Sequence, residues 1–302
     1  MEDVMKRLKK LFFTLILMII SVGVIFAGVG TDNMAFMKFS PSVRANALAD
    51  TTVSLPLDVN NMFYNPAGAW SPSFFDAGFS YTTWVQSISF LNFAGKIKLP
   101  AIGNVGFGLV SALYEDMNRV KEENGVLVVS SEKFQLSDYY FLLNYNKNFG
   151  KKLFIGANIK LANEKIDVQS ATGFGGDFGA IYLVSDEIST GLSILNLGIG
   201  NMPMIIKAGA NYNKDISEDA GMILSCEVDK NGDSKIEGGA GLELKLMQMF
   251  FFRTGYRLSK AEGNFRIGAG MRYKSFQIDY SFNSFSELGN IHRIGLKYIL
   301  GK

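Results

Sequence analysis

One cysteine, one histidine and six prolines in 302 residues exclude several kinds of protein before any pattern is read. Cys226 has no partner for an intramolecular disulfide and no second thiol for a metal site, so an exported chain of this kind is held together by other means. Proline cannot donate to a β-ladder, and four of the six precede Phe74; only Pro100 and Pro203 fall later, at apparent strand junctions. Charge of one sign is also missing. Once the first 27 residues are set aside, with Lys6, Arg7, Lys9 and Lys10 against Glu2 and Asp3, 26 basic and 26 acidic residues remain. That balance offers no field to nucleic acid and no charged tail.

What is present begins with an export signal. The four basic residues precede an apolar stretch at 11–26, and Ala27 supplies a small residue at the cleavage point with Ile25 two positions before it. An uncleaved anchor is the alternative, because the stretch is close to the roughly 17 residues that cross a bilayer; the small residue and the shortness favour cleavage.

From about Phe75 onward the chain alternates. Phe265, Ile267, Ala269, Met271 and Tyr273 are interleaved with Arg266, Gly268, Gly270 and Arg272. Phe276, Ile278, Tyr280 and Phe282 oppose Gln277, Asp279 and Ser281, and Ile294, Leu296, Tyr298 and Leu300 oppose Arg293, Gly295 and Lys297. Neighbouring strand residues point to opposite faces, so such a segment has an apolar, ring-ended face suited to lipid and a polar or glycine face suited to a lumen. Segments of this kind fall near 74–85, 87–98, 102–114, 133–146, 152–165, 173–184, 188–199, 204–213, 219–229, 235–246, 249–259, 263–274, 275–283 and 291–300. The expected fold is therefore all-β: a transmembrane antiparallel β-barrel of about 14 strands. A soluble sandwich or lipocalin-like barrel also alternates, but it would turn the apolar face inward and the many Lys, Arg and Asn positions outward.

Asp229-Lys230-Asn231-Gly232-Asp233 reads as a hairpin tip, since Asn-Gly tolerates positive φ. A calcium loop is excluded there, because glycine falls at loop position four and Ala240 at position twelve. The longest hydrophilic connection, 115–132, is expected to be an external loop. Residues 31–73 do not alternate. A helical turn is expected at 43–49, and a second, capped by Asp58, through Val59, Met62 and Phe63 to a stop at Asn65-Pro66. Its apolar content, with Met34, Phe36, Met37, Phe39, Tyr64 and Trp70, favours a plug folded into the lumen. The expected organisation is thus signal 1–27, plug-like segment 28–73 and barrel 74–302.

Asp50-Thr51, Asp58-Val59-Asn60-Asn61-Met62-Phe63-Tyr64 and Asn65-Pro66-Ala67-Gly68, followed by the first strand, resemble the N-terminus of PorV/PorQ-type outer-membrane proteins, in the superfamily of FadL-like long-chain fatty-acid transporters. Ile278-Asp279-Tyr280-Ser281-Phe282 with Glu287-Leu288-Gly289-Asn290-Ile291-His292-Arg293-Ile294 resembles that family's closing hairpin. The glycine-rich stretch usual there is here Ser42-Val43-Arg44-Ala45-Asn46-Ala47, and the chain ends without the terminal aromatic common in such barrels. The resemblance implies a bacterial outer-membrane barrel of fourteen strands, partly plugged, that passes hydrophobic or amphipathic, fatty-acid-like molecules. In the alternative role it implies, the barrel is a non-transporting accessory of type IX-like secretion or surface attachment. The short chain leaves little room for large external loops and favours transport. Expected partners are outer-membrane lipid, a fatty-acid-like ligand, the barrel assembly machinery and, in the alternative, secretion proteins; no cofactor is expected.

Two sets of residues could carry function. Asn65, Pro66, Ala67 and Gly68 lie where the plug leads into the first strand, as a gate hinge or as a simple helix stop. Arg253, Arg257, Arg266, Arg272, Arg293 and Lys297 all fall on lumen faces. They suit either a carboxylate head group, to which guanidinium offers two parallel hydrogen bonds, or a salt-bridge ladder with Asp279, Glu243 and the plug carboxylates Asp50 and Asp58. Catalysis is not expected: His292, on the lipid-side series, has only Asn290 with Ser284 or Ser286 nearby, which gives no persuasive triad. Gly173-Phe174-Gly175-Gly176-Asp177-Phe178-Gly179 has the wrong spacing for a phosphate loop, and inward strand glycines explain it. Cys226 has no basic neighbour to mark a reactive thiol.

Overall fold

A computed structural model describes residues 34–115, 117–123, 125–232, 236–258, 264–284 and 289–301. The signal expected at 1–27 and the residue Ser286 lie outside them. Fourteen strands close into an antiparallel barrel. In chain order they are β1 (Phe75–Thr83), β2 (Ser89–Leu99), β3 (Gly103–Leu113), β6 (Leu136–Phe149), β7 (Leu153–Ile166), β8 (Gln169–Leu183) and β9 (Ile188–Ile199), then β10 (Ile205–Ser217), β11 (Ala220–Asn231), β12 (Ile236–Leu246), β13 (Phe250–Leu258), β14 (Phe265–Tyr273), β15 (Phe276–Ser284) and β16 (Asn290–Leu300). Each pairs with its chain neighbour, and β1 closes on β16 from Phe75↔Leu300 to Thr83↔His292. Closure leaves no backbone edge to be satisfied in lipid.

Alternation decides which face is which. In β15, Phe276, Ile278 and Tyr280 are exposed while Gln277, Asp279 and Ser281 are buried. In β7, Ile155, Ile159 and Leu161 are exposed while Asn158 and Lys160 are buried. An apolar exterior of this extent exceeds what a soluble protein exposes, and a polar interior is what a membrane barrel encloses. The soluble reading is therefore overturned.

Two strands were not legible as such. The hydrophilic connection 115–132 carries a separate two-stranded sheet, β4 (Met117–Glu123) with β5 (Val126–Phe134), which continues the β3–β6 pair beyond the barrel. Val126, Leu127, Val128 and Val129 are consecutive aliphatics on a hairpin open on both faces, so no period of two marks them. At the β11 end the strand runs through Asn231, and Gly232 takes the left-handed conformation (φ 47°), so the turn starts later than an Asn-Gly centre implies. Asp233 falls outside the described residues.

Before β1 the chain lies inside the barrel. Helix α1 (Val43–Ala47) starts at Ser42, whose Oγ accepts from the Ala45 amide at 3.2 Å. Asp58 accepts from the Asn60 amide at 3.1 Å and starts a 3₁₀ turn over Val59–Phe63. Pro66 then opens a further 3₁₀ turn, Pro66–Ala69, capped by Asn65, whose Oδ1 accepts from Ala67 at 3.0 Å. Proline at the first position of a turn loses no hydrogen bond, so the motif starts a turn as well as stopping one. Apolar plug residues pack on the wall near the β4–β5 end: Phe39 stacks on Phe90 with ring centroids 3.7 Å apart, and Phe63 meets Tyr140 edge-on at 6.2 Å.

Ile159 sits midway along β7 on the lipid side. Ile159→Arg is expected to lower barrel stability by about 2–4 kcal/mol, as a cation at the bilayer midplane does. Denaturant titration of vesicle-inserted protein measures it.

Candidate functional site: the plugged lumen

The lumen wall takes the plug backbone directly where it presents glycine. A Cβ at Gly156 would stand 2.5 Å from the Ala67 nitrogen, and one at Gly191 would stand 2.6 Å from the Val53 carbonyl carbon. Side chains between these points supply hydrogen bonds. Asn65 is fully buried, and its Nδ2 donates to the carbonyls of Val53 (2.6 Å), Ala180 (3.2 Å) and Leu192 (3.4 Å). From the wall, Asn144 donates to Pro66 O at 3.2 Å, Asn158 to Met62 O at 2.9 Å and Ser193 to Tyr64 O at 2.7 Å. Thus Asn65, Pro66 and Ala67 are buried against β7 and β8, with Asn65 also reaching β9, and Gly68 is buried within the plug against Asn61 and Leu55.

The six inward cations are distributed unequally. Arg253 donates to Glu243 and Asp279, both at 2.6 Å. Arg257 pairs with Asp229 and, at 3.4 Å, with Glu237. Arg266 meets Asp50 of the plug at 2.6 Å, and Lys297 meets Asp58 of the plug at 2.8 Å. Arg293 donates to Asn283 at 2.8 Å and lies over the rings of Phe39 and Trp84. Arg272 differs: its Nε and Nη2 both donate to the neutral Gln277 Oε1, at 2.9 and 2.6 Å. Plug residue Arg44, which alternation could not place, completes the set by donating to both oxygens of Glu243 at 2.8 Å.

Two cavities flank the plug. One, of about 330 Å³, opens at the rim where β1 begins and β16 ends, and it contains Arg253, Arg272 and Lys297 with Leu55, Pro56 and Phe251. The other, of about 150 Å³, lies toward the β4–β5 end, with Arg257 and Arg266 beside Phe39, Tyr64 and Tyr140. No residue lines both. Arg293 belongs to neither. The lumen is therefore a polar interior with a chamber of mixed polar and apolar lining on each side of a hydrogen-bonded plug.

Residues considered for chemistry are placed elsewhere. His292 is exposed on the outer face, its Nδ1 2.8 Å from the Tyr280 hydroxyl, and Ser284 lies opposite Asn290 at the strand end. Cys226 is exposed. Gly173 and Gly175 face inward beneath Met202, whose side chain fills the space a Cβ would need.

The fold has relatives of known structure. The Ralstonia pickettii toluene transporter TbuX superposes with a TM-score of 0.60 at 12% identity, over 87% of this chain and 98% of that one. The Pseudomonas putida toluene transporter TodX gives 0.59 at 12%, over 85% and 97%. The monoaromatic hydrocarbon channel CymD gives 0.60 at 9%, over 87% and 98%. These are transporters and channels, not enzymes, and at such identities the likeness is one of fold. No protein-family profile and no curated protein sequence matches the chain.

Charge sets how the plug is held. Burial alone would raise the Asp58 carboxyl, but the Lys297 ammonium and the Arg44 guanidinium outweigh it and hold the group at about 2, below its ordinary 3.8. Burial opposes ionisation of Asp50 too, and Arg266 and Arg257 overcome it in the same direction. A depressed carboxyl stabilises above its unfolded value and loses that contribution as pH falls through the folded one. Wild type is thus expected to hold its plug more firmly than Asp58→Asn above about pH 4, with the difference shrinking to nothing as pH falls through about 2. Protease accessibility of the plug across that range measures it.

Proposed function

We propose that the chain is a channel of the bacterial outer membrane that passes hydrophobic or amphipathic small molecules, fatty-acid-like ones among them, through a lumen gated by its N-terminal segment. The reading includes export by a cleaved signal at 1–27 and a place among FadL-like barrels, on the PorV/PorQ side. The observation that carries it is the pair of partly apolar chambers on either side of the plug, whose backbone is held to the wall by side-chain hydrogen bonds and not by a ladder. Solutes move from one chamber to the other when the stretch around Asn65, Pro66, Ala67 and Gly68 leaves its seat on Gly156. That TbuX and TodX are toluene transporters and CymD a monoaromatic hydrocarbon channel supports passage of hydrophobic molecules by this fold.

The test enlarges the seat's floor. Gly156→Val places carbon where the plug backbone now lies, so it is expected to displace the plug while the barrel still folds. Proteoliposomes of that variant should conduct ions at least about tenfold above wild type, and wild type should admit toluene or octanoate faster than protein-free vesicles. If wild type admits neither and Gly156→Val stays closed while folded, the barrel is a blocked accessory of secretion or surface attachment and not a channel.

A further inference from the structure

Among the described residues, the larger cavity holds two cations that form no ion pair. Its other charges are matched: Glu243 lies between Arg44 and Arg253, Asp58 pairs with Lys297, and Asp76 meets the Lys96 ammonium at 3.3 Å. Asp279, behind Arg253 and Gln277, is matched as well. Among the described residues, Arg272 has no acidic partner and Lys245 has neither hydrogen bond nor ion pair, although both line the cavity. The remaining acid on the lining, Asp215, is exposed at the rim.

One of the two, Arg272, lies over the ring of Phe251, and the other, Lys245, is that residue's cross-strand neighbour. Phe251 on β13 is in register with Lys245 on β12 and Gly270 on β14, and its ring stacks with the guanidiniums of Arg253 at 5.2 Å and Arg272 at 5.3 Å. That stacking and Gln277 fix the Arg272 plane. Nε and Nη2 are engaged, so Nη1 and the second hydrogen of Nη2 remain on the cavity side. This is the edge on which a carboxylate accepts two parallel hydrogen bonds. Leu55, Pro56, Ile223 and Ile299 offer apolar contact on the same lining.

We propose that Arg272 and Lys245 form an organic-anion site in this cavity, which takes a compact carboxylate such as an aromatic or short-chain acid. Both cations are half-buried, and a bound anion would gain charge-assisted hydrogen bonds that a neutral solute of the same shape does not, which gives the site its selectivity. At about 330 Å³ the cavity is at the small end of ligand pockets, which span roughly 300–1,000 Å³, so a compact acid fits where an extended acyl chain does not. The assignment rests on the passage reading above and names the solute class of that route at its wider chamber. Of the six lumen cations, Arg253, Arg257, Arg266 and Lys297 pair with carboxylates and Arg293 lines neither cavity, so among the described residues Arg272 is the one of the set that lines a cavity without an acidic partner, together with a lysine that alternation hides among ordinary lumen positions.

The test is equilibrium dialysis of the full chain in detergent micelles with labelled benzoate, and with benzamide as the neutral isostere. Wild type is expected to bind benzoate, to bind benzamide at least about tenfold more weakly, and to lose affinity as salt is raised. Arg272→Gln should weaken benzoate roughly tenfold or more, the loss of a charge-assisted pair, and Arg272→Lys should restore part of it. Lys245→Gln breaks no bond of the folded state and should weaken benzoate and flatten its salt dependence. Equal affinity for the two ligands in wild type, or unchanged benzoate affinity in heat-modifiable, folded Lys245→Gln and Arg272→Gln, overturns the site. Failure of the passage reading is distinct: proteoliposomes closed to toluene and benzoate alike, beside intact benzoate binding in micelles, would leave the anion site standing.

Discussion

Everything inside this barrel follows from the need to hydrogen-bond an irregular backbone at membrane depth. Strands satisfy one another around the closed sheet, but residues 34–73 have no ladder. Non-regular backbone is tolerated there only where protein or water meets its polar groups. The wall answers with amide and hydroxyl side chains aimed at carbonyls, and with glycines that let the plug approach closely enough to use them. Asn144, Asn158 and Ser193 each serve a plug carbonyl that a regular element would have bonded internally.

Charge pairing is a second consequence of the same constraint. Each strand face that turns from lipid must hold something polar, and long basic side chains reach furthest across the lumen. Buried ions without partners are expensive, so the plug brings its own carboxylates, Asp50 to Arg266 and Asp58 to Lys297, and its own Arg44 to Glu243. Plug and barrel are thereby matched in register: a plug shifted by a single residue would strand several of these charges together.

The barrel was legible because its signal is redundant. Alternation in β13 to β16 alone separates the lipid face from the lumen face, and the same period recurs in the other barrel strands. The β4–β5 hairpin was not legible, since a ribbon exposed on both faces has no reason to alternate. Within the lumen, direction could be read but not pairing. The run of Arg253, Arg257, Arg266, Arg272, Arg293 and Lys297 marks one inward surface, yet which of them meets a carboxylate depends on where an aperiodic segment folds back. Lys245 shares a strand face with Glu243 and was available to the same reasoning; only the plug's path reveals that its neighbours are already paired. Pro66 likewise marks the end of one turn in sequence, whereas its place as the start of the next depends on Asn65 as a cap.

How the plug is held also bears on how it moves. Its neutral contacts are mostly side chain to carbonyl, such as Ser189 to Ser54 O at 2.7 Å and Asn211 to the same oxygen at 2.8 Å. In a dry interior each broken bond would cost the desolvation of two polar groups, and the segment could not leave. In a lumen bordered by two chambers that admit water, a departing carbonyl and the amide left behind are both rehydrated. The net cost then falls to about 0.5–1.5 kcal/mol per bond. The ion pairs behave alike, because charges released into water are screened where charges stranded in protein are not. A plug tied by many polar contacts is therefore firm when the chambers are narrow and releasable when they fill. The aromatic cluster of Phe39, Phe90 and Trp84 stays with the wall near the β4–β5 end, since leaving it would expose ring surface that water does not compensate. Motion is consequently expected in the parts of the plug held by polar contacts, with the aromatic cluster, to which Met62 and Phe63 also belong, as its anchor.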